Sequence, residues 1–245
     1  MHTQRNYAGL ASATLILLLI AGCGGGGGGS SAPSGPVTST LSFPVRSGLN
    51  ARAANGFTTT LTANGTPATE STDGLCSGTL SVTTGPATGG ATFEGAPALS
   101  AVSVLTISFS NCTPASSSST TTEYRDTNYL PMGFSIQGGD YGVYLVPPDI
   151  PNSVMVGGTG IVGTITVFTD STKTVVSGRE DLSFVVEPDT ANTAIINLIA
   201  KDYDTSSQLL LTEQDRYRMT STGALTLISI DVQYATTFTT HLVFR

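Results

Sequence analysis

The sequence predicts an all-β protein of antiparallel sheets, arranged as a sandwich or a barrel-like meander, with two β subdomains as an open arrangement. Three observations predict it. Only 11% of the residues are charged while Thr, Ser and Gly abound, a composition that suits pleated strands and offers little to helices. Short runs with a period of two recur through most of the chain. The runs are joined by short stretches of Gly, Asn, Asp, Ser and Thr, the length expected of hairpin connections.

In order, Thr38 to Val45 is a short candidate strand, and Phe57 to Ala63 (FTTTLTA) is a second, closed by the Asn64-Gly65 turn signal. Leu75 to Thr83 alternates Leu80 and Val82 against Ser81 and Thr83. Gly85-Pro86 and Gly89-Gly90 mark turns around the short Ala91 to Glu94. The clearest alternation is Val102 to Ser110 (VSVLTISFS), with Val102, Val104, Thr106 and Ser108 opposite Leu105, Ile107 and Phe109. Thr113 to Thr122 (TPASSSSTTT) is low in complexity and reads either as a long loop or as a subdomain boundary, dividing 37–122 from 123–245.

Beyond it, Tyr129 to Ile136 and Tyr141 to Val146 flank Gly138-Gly139-Asp140, and Pro147, Pro148 and Pro151 break the pattern. A meander is expected from Gly163 onward. Its strands are Thr164 to Thr169, Thr174 to Ser177, Asp181 to Glu187, Ala194 to Tyr203, Gln208 to Glu213, Arg216 to Thr220, Ala224 to Tyr234 and Thr239 to Phe244. Ala191 to Ala200 also fits a short helix, because Ala194, Ile195, Leu198 and Ile199 share a helical face. A weak echo pairs Phe168-Thr-Asp-Ser-Thr with Tyr203-Asp-Thr-Ser-Ser at an offset of 35, as any aromatic-plus-turn meander would give.

The N-terminus has a different character. Arg5 precedes an apolar segment from Leu10 to Ile20, which ends in the small pair Ala21-Gly22, then Cys23, then Gly24 to Gly29. The segment is shorter than the roughly 20 residues a membrane-crossing helix needs, and a six-glycine run ends any helix there. Leu17 through Cys23 resembles the lipobox of bacterial lipoproteins. The resemblance implies that residues 1–22 are a cleaved signal peptide and that Cys23 becomes the acylated first residue. It also implies an attachment to the membrane through the lipid alone, since two or three acyl chains anchor stably where one does not. Gly24 stands where an Asp would favour retention in the inner membrane, so the resemblance points to the outer membrane, facing either the periplasm or the outside. Residues 23–36 form a flexible Gly/Ser/Pro tether that spans about 20 Å.

With Cys23 used for lipid and export into an oxidising compartment, Cys76 and Cys112 remain to pair as a structural disulfide. Closing that loop stabilises by about 4 kcal/mol in the chain-entropy model. Loss of Arg5 with the signal leaves 9 basic against 17 acidic side chains, a net charge of −8. That balance excludes a nucleic-acid partner and leaves an envelope protein or a glycan as the expected class of partner.

No catalytic motif stands. Gly158-Thr-Gly-Ile-Val-Gly163 has dinucleotide-loop spacing, but β-branched residues rather than a helix follow it, so it reads as a glycine-rich turn. His241 is the one histidine after the signal, set in a strand without a nucleophile elbow. Asp202 and Asp204 share a strand face, with Glu187, Asp189, Glu213 and Asp215 near in sequence. Such carboxylates serve a glycosidic hydrolase, a Ca²⁺ site or turn capping, and the last explains most of them. Arg216 and Arg218, with Arg179, offer an anion surface or ion pairs with Asp215 and Asp231. No cofactor, metal ligand or catalytic residue is assigned. The expected role is a lipid-anchored, non-enzymatic binding or structural β domain. The alternatives are an envelope-polymer hydrolase using Asp202 and Asp204, and a β-barrel carrier of an apolar ligand.

Overall fold

The computed structural model describes residues 36–67, 75–110, 115–235 and 241–245. The expectations for the signal, Cys23, the tether up to residue 35 and Cys112 lie outside these residues, and Cys76 is described by its backbone alone. The all-β expectation holds. The first half holds β1 (Ser42–Phe43), α1 (Val45–Asn55), β2 (Phe57–Pro67), β3 (Leu75–Thr84), β4 (Thr88–Phe93), β5 (Ala96–Phe109) and β6 (Ser116–Arg125). Then come β7 (Pro131–Ile136), β8 (Tyr141–Tyr144), β9 (Val154–Met155), β10 (Thr159–Phe168) and β11 (Val176–Pro188). The chain ends in β12 (Thr193–Asp204), β13 (Leu209–Thr220), β14 (Leu225–Tyr234) and β15 (His241–Phe244).

Hydrogen-bonded neighbours run β15-β14-β13-β12-β11-β10-β8-β7-β6-β5-β3-β2, all antiparallel, with β4 folded onto β5 off this path. The two ends of the path meet: the Thr62 N–H donates to the Arg245 carbonyl and the Arg245 N–H to that of Thr62, each at 2.8 Å. The sheet therefore curls into a twelve-stranded barrel, sewn at the β2/β15 seam by one pair of backbone bonds. β6 spans residue 122, and the sheet continues across it on both sides, to β5 and to β7.

Alternation decides what faces the lumen. From β2, β3 and β5 the buried Leu61, Ala63, Leu80, Val82 and Ile107 point inward, while Thr58, Thr60, Thr83 and Thr106 point outward. Across the barrel, Leu182, Phe184, Val186, Ile196, Leu198 and Ala200 answer them, and Met219, Leu227, Ile230 and Phe244 complete the packing. A smaller apolar cluster lies on the outer wall. There Phe93 of β4 stacks on Tyr124 at 4.4 Å between ring centroids and leans on Tyr141 at 5.3 Å.

Several sequence expectations need correction. Thr38 to Val45 is mostly not a strand, and the segment after it is a helix. Arg, Ala and Leu support α1, but an 11-residue helix holds by its docking. Gly48 lets it lie against the β13–β14 turn, where a Cβ would meet the Gly223 carbonyl oxygen at 2.6 Å. Arg46 Nε donates to the Ile150 carbonyl at 2.7 Å and Asn50 Nδ2 to that of Asn128 at 3.0 Å, so α1 closes one end of the barrel.

From Ser116 onward the Ser/Thr run is strand rather than loop. It is β6, whose backbone is paired on both sides although its first eight residues carry no apolar side chain. The Asn64-Gly65 signal does not end β2, which passes through it with a shifted register. Gly89-Gly90 lies inside β4. Val176 and Ser177, the end of the Thr174 to Ser177 segment, join Asp181 to Glu187 in one strand, β11, and Leu209 to Glu213 joins Arg216 to Thr220 in one strand, β13. Ala191 to Ala200 is not a helix; it enters β12. Gly158 to Gly163 turns only at its start and then runs into β10, where Gly160 makes room for the Phe184 ring that would lie 2.5 Å from a Cβ. The echo marks two hairpin turns at the same barrel end. Asp170 and Asp204, 34 residues apart, each accept from the backbone N–H two positions on, both at 2.8 Å.

Candidate lumen site

The inward residues of β3, β5 and β6 include Thr84, Ala101, Ser103 and Thr121, all small. They cannot reach the opposite wall of Ile165, Leu182, Phe184 and Leu198. A cavity of about 170 Å³ is left between the two walls, beneath α1. These small side chains on three neighbouring strands are thus the local cause of the space.

Ionisable side chains edge this cavity. Glu123 and Arg125, two apart on β6 and so on one face, pair through Arg125 Nη2 and Glu123 Oε2 at 2.8 Å. Arg125 Nη1 also donates to the Tyr129 carbonyl at 3.2 Å, and its Nε is buried with no partner among the described residues. Tyr144 also lines the space. Burial, and then the Glu180 carboxylate, hold its hydroxyl well above the usual phenol range.

From the helical cap, Arg52 places its guanidinium carbon 3.2 Å from the centroid of the Phe57 ring and 4.6 Å from that of Tyr217. Arg52 Nη2 donates to the Tyr217 hydroxyl at 3.4 Å, which in turn donates to Asp215 Oδ2 at 3.0 Å. Asp215 is fully buried. Burial pushes its carboxyl up to about 7, against the opposing pull of Tyr217 and Arg52. The Tyr217 hydroxyl, desolvated and beside that carboxylate, is driven well above its ordinary value.

The residues singled out from the sequence are placed elsewhere. Asp202 is an inward position of β12 opposite Glu180, and burial followed by the Asp140 charge pushes it up to about 7. Asp204 caps a turn, accepting from the Ser206 and Gln208 N–H groups at 2.8 Å each. Neither lines the cavity.

Arg216 and Arg218 pair not with Asp215 and Asp231 but with Glu187 at 3.1 Å and Asp189 at 2.8 Å on the outer wall. Arg179 pairs with Asp181 at 3.3 Å and lies over the Tyr203 ring, so the three arginines form no joint anion surface. His241 Nε2 meets Asp231 Oδ1 at 2.7 Å, outside the lumen. Among the described residues no group of three His, Cys, Asp or Glu side chains is placed to hold a metal ion.

Arg52, Glu123 and Arg125 had no separate signal in the sequence. The one local hint is Glu123-x-Arg125, two charges on a single face of a strand that the barrel turns inward. Comparison with protein-family models, curated proteins and solved structures returns no match for this chain.

Proposed function

We propose that the protein is a lipid-anchored envelope barrel, held by an acylated Cys23 at the outer membrane, that binds a small molecule in its lumen without transforming it. The cavity of about 170 Å³ carries the reading, because its apolar wall and few convergent polar groups are the make-up of ligand sites. The outer wall supports attachment by the anchor rather than by the barrel. Thr58, Thr60, Thr62 and Thr83 face outward there, the reverse of the apolar outer band of a membrane-crossing barrel. Pairing of Cys76 with Cys112 belongs to the same reading. The Ser110 N–H donates to the Ser77 carbonyl at 2.9 Å, which sets the end of β5 beside the start of β3, the strand that holds Cys76.

Thermal unfolding of the purified full chain in toluene-containing buffer tests luminal binding. Toluene at ten times its Kd stabilises by about 1.4 kcal/mol, a Tm rise of roughly 3–5 °C at this size. Ala101→Leu, which fills the cavity, should abolish the rise. No rise in the native chain, or an equal rise in Ala101→Leu, would refute a binding lumen.

A further inference from the structure

We propose that the luminal ligand is a small organic monoanion, a carboxylate on one aromatic ring or an equally compact apolar body, with its carboxylate on the free edge of Arg52. The assignment rests on the luminal binding proposed above and adds the ligand's charge and size.

Size comes from the cavity. An apolar cavity of about 150 Å³ admits benzene, so about 170 Å³ holds one ring and a single small substituent. Leu182, Phe184 and Leu198 give that ring an apolar wall.

Charge comes from the groups that edge the space. Two guanidiniums, Arg52 and Arg125, face one carboxylate, Glu123, and Glu123 is already paired with Arg125. Among the described residues no carboxylate forms a salt bridge with Arg52. Asp215, the acid that acts on it, does so from behind the Tyr217 hydroxyl and does not line the cavity.

Arg52 is also fixed for the task. The Phe57 and Tyr217 rings hold the guanidinium plane, and its one hydrogen bond to a described residue leaves N–H donors for a two-point contact with a carboxylate. Arg125 Nε adds a buried donor in need of an acceptor. A neutral ligand would desolvate Arg52 without compensating its charge. A cationic one would meet two guanidiniums and a carboxylate already engaged.

Isothermal titration of the full chain with benzoate, benzamide and benzylamine separates these cases, since the three share a ring and differ in charge. Benzoate should bind at least about tenfold tighter than benzamide, the range of a hydrogen bond to a charged group, and benzylamine should bind weakest. Arg52→Met keeps the stem that packs beneath the rings and should weaken benzoate about 10–100-fold while changing benzamide less than about threefold. The native-chain comparison decides the matter even where the variant folds poorly. Benzamide or benzylamine binding as tightly as benzoate would overturn the anion assignment and leave the lumen as a binding site. Benzoate binding unchanged in both Arg52→Met and Ala101→Leu would place the anion outside the lumen and overturn it too. Failure of all three probes together with toluene would overturn the binding lumen itself.

Discussion

The wall built from β2, β3, β5 and β6 and the wall built from β10 to β15 solve the same problem with different chemistry. The first is nearly uncharged: only 3 of the 17 acids precede residue 122. Its outer face carries hydroxyl pairs, Thr58 with Thr83 at 3.2 Å, Thr60 with Ser81 at 3.3 Å and Thr106 with Ser118 at 3.3 Å, beside the exposed Val102 and Val104. The second carries ion pairs outside and carboxylates inside. Glu187 accepts from Asn197 at 2.6 Å and from Arg216 at 3.1 Å on its outer face, while Glu180, Asp202, Glu213 and Asp215 occupy inward positions. Small hydroxyls leave the lumen open on one side and large apolar side chains wall the other. The binding space is therefore a product of the mismatch.

The two walls meet across the lumen at Phe244 of β15, whose ring stacks on Phe109 of β5 with centroids 6.1 Å apart. Phe244 is wholly buried and lies next to the seam residue Arg245. Phe244→Ala should cost about 3–5 kcal/mol, the range for deleting a buried aromatic, as measured by urea unfolding. A loss below about 1 kcal/mol would mean that the walls are held at the seam by backbone pairing alone.

The outer face of the charged wall should come next. Glu187→Ala strips the acceptor from Asn197, which is wholly buried, and from the half-buried Arg216, whose guanidinium burial already pulls below its usual value. Leaving both without an acceptor should cost about 2–3 kcal/mol in equilibrium unfolding. Glu187→Gln keeps an acceptor for Asn197 and should cost less; equal losses for the two would remove the hydrogen-bond account.

Acids inside and outside this wall should also respond to pH in opposite directions. Arg218 donates to Asp189 and holds it below the ordinary carboxylate range, so its contribution is present at neutral pH and is lost as pH falls. Asp215 is raised to about 7, against about 3.9 in the unfolded chain. Between those values the native state holds a proton that the unfolded state has released, so stability falls as pH rises. The slope approaches about 1.4 kcal/mol per pH unit and flattens above the native value. Asp215→Asn should remove this slope from denaturation curves at pH 5 to 8 and leave a second one from Asp202. An unchanged slope in that variant would show that Asp215 is ionised in the folded protein.

What could be read in the sequence tracks the same division. Val102 to Ser110 was legible because Leu105, Ile107 and Phe109 share the inward face and the run is rich in β-branched residues, although Val102 and Val104 on the other face meet water. β6 was not, because its inward residues are Ser119 and Thr121 facing a partly open lumen, and only the ladders of β5 and β7 make it a strand. β11 and β13 were each split at polar residues, Arg179-Glu180 and Gln214-Asp215, in strands expected to bury apolar groups. β12 resembled a helix because Ala194 through Ala200 are buried without a break, on both faces of the sheet. The candidate site was hidden for a different reason. Arg52, Glu123 and Tyr217 are far apart in the chain, and only barrel closure and the docking of α1 bring them to one cavity.

The smallest expected effect is the most discriminating for the hydroxyl wall. Thr60 lies outward on β2, exposed, with its hydroxyl 3.3 Å from that of Ser81. Water satisfies both groups equally well when the pair is removed, and the pair is a cross-strand contact worth only a few tenths of a kcal/mol. Thr60→Ala should therefore lower the unfolding free energy from urea titration by less than about 0.5 kcal/mol, the usual size for an exposed site. Thr60→Val keeps the β-branched shape that suits a strand and should be closer to neutral still. A loss near that of Glu187→Ala would mean that the hydroxyl pairs are coupled along the wall. The contrast between an uncharged wall built of independent small contacts and a charged wall built of linked ones would then fail.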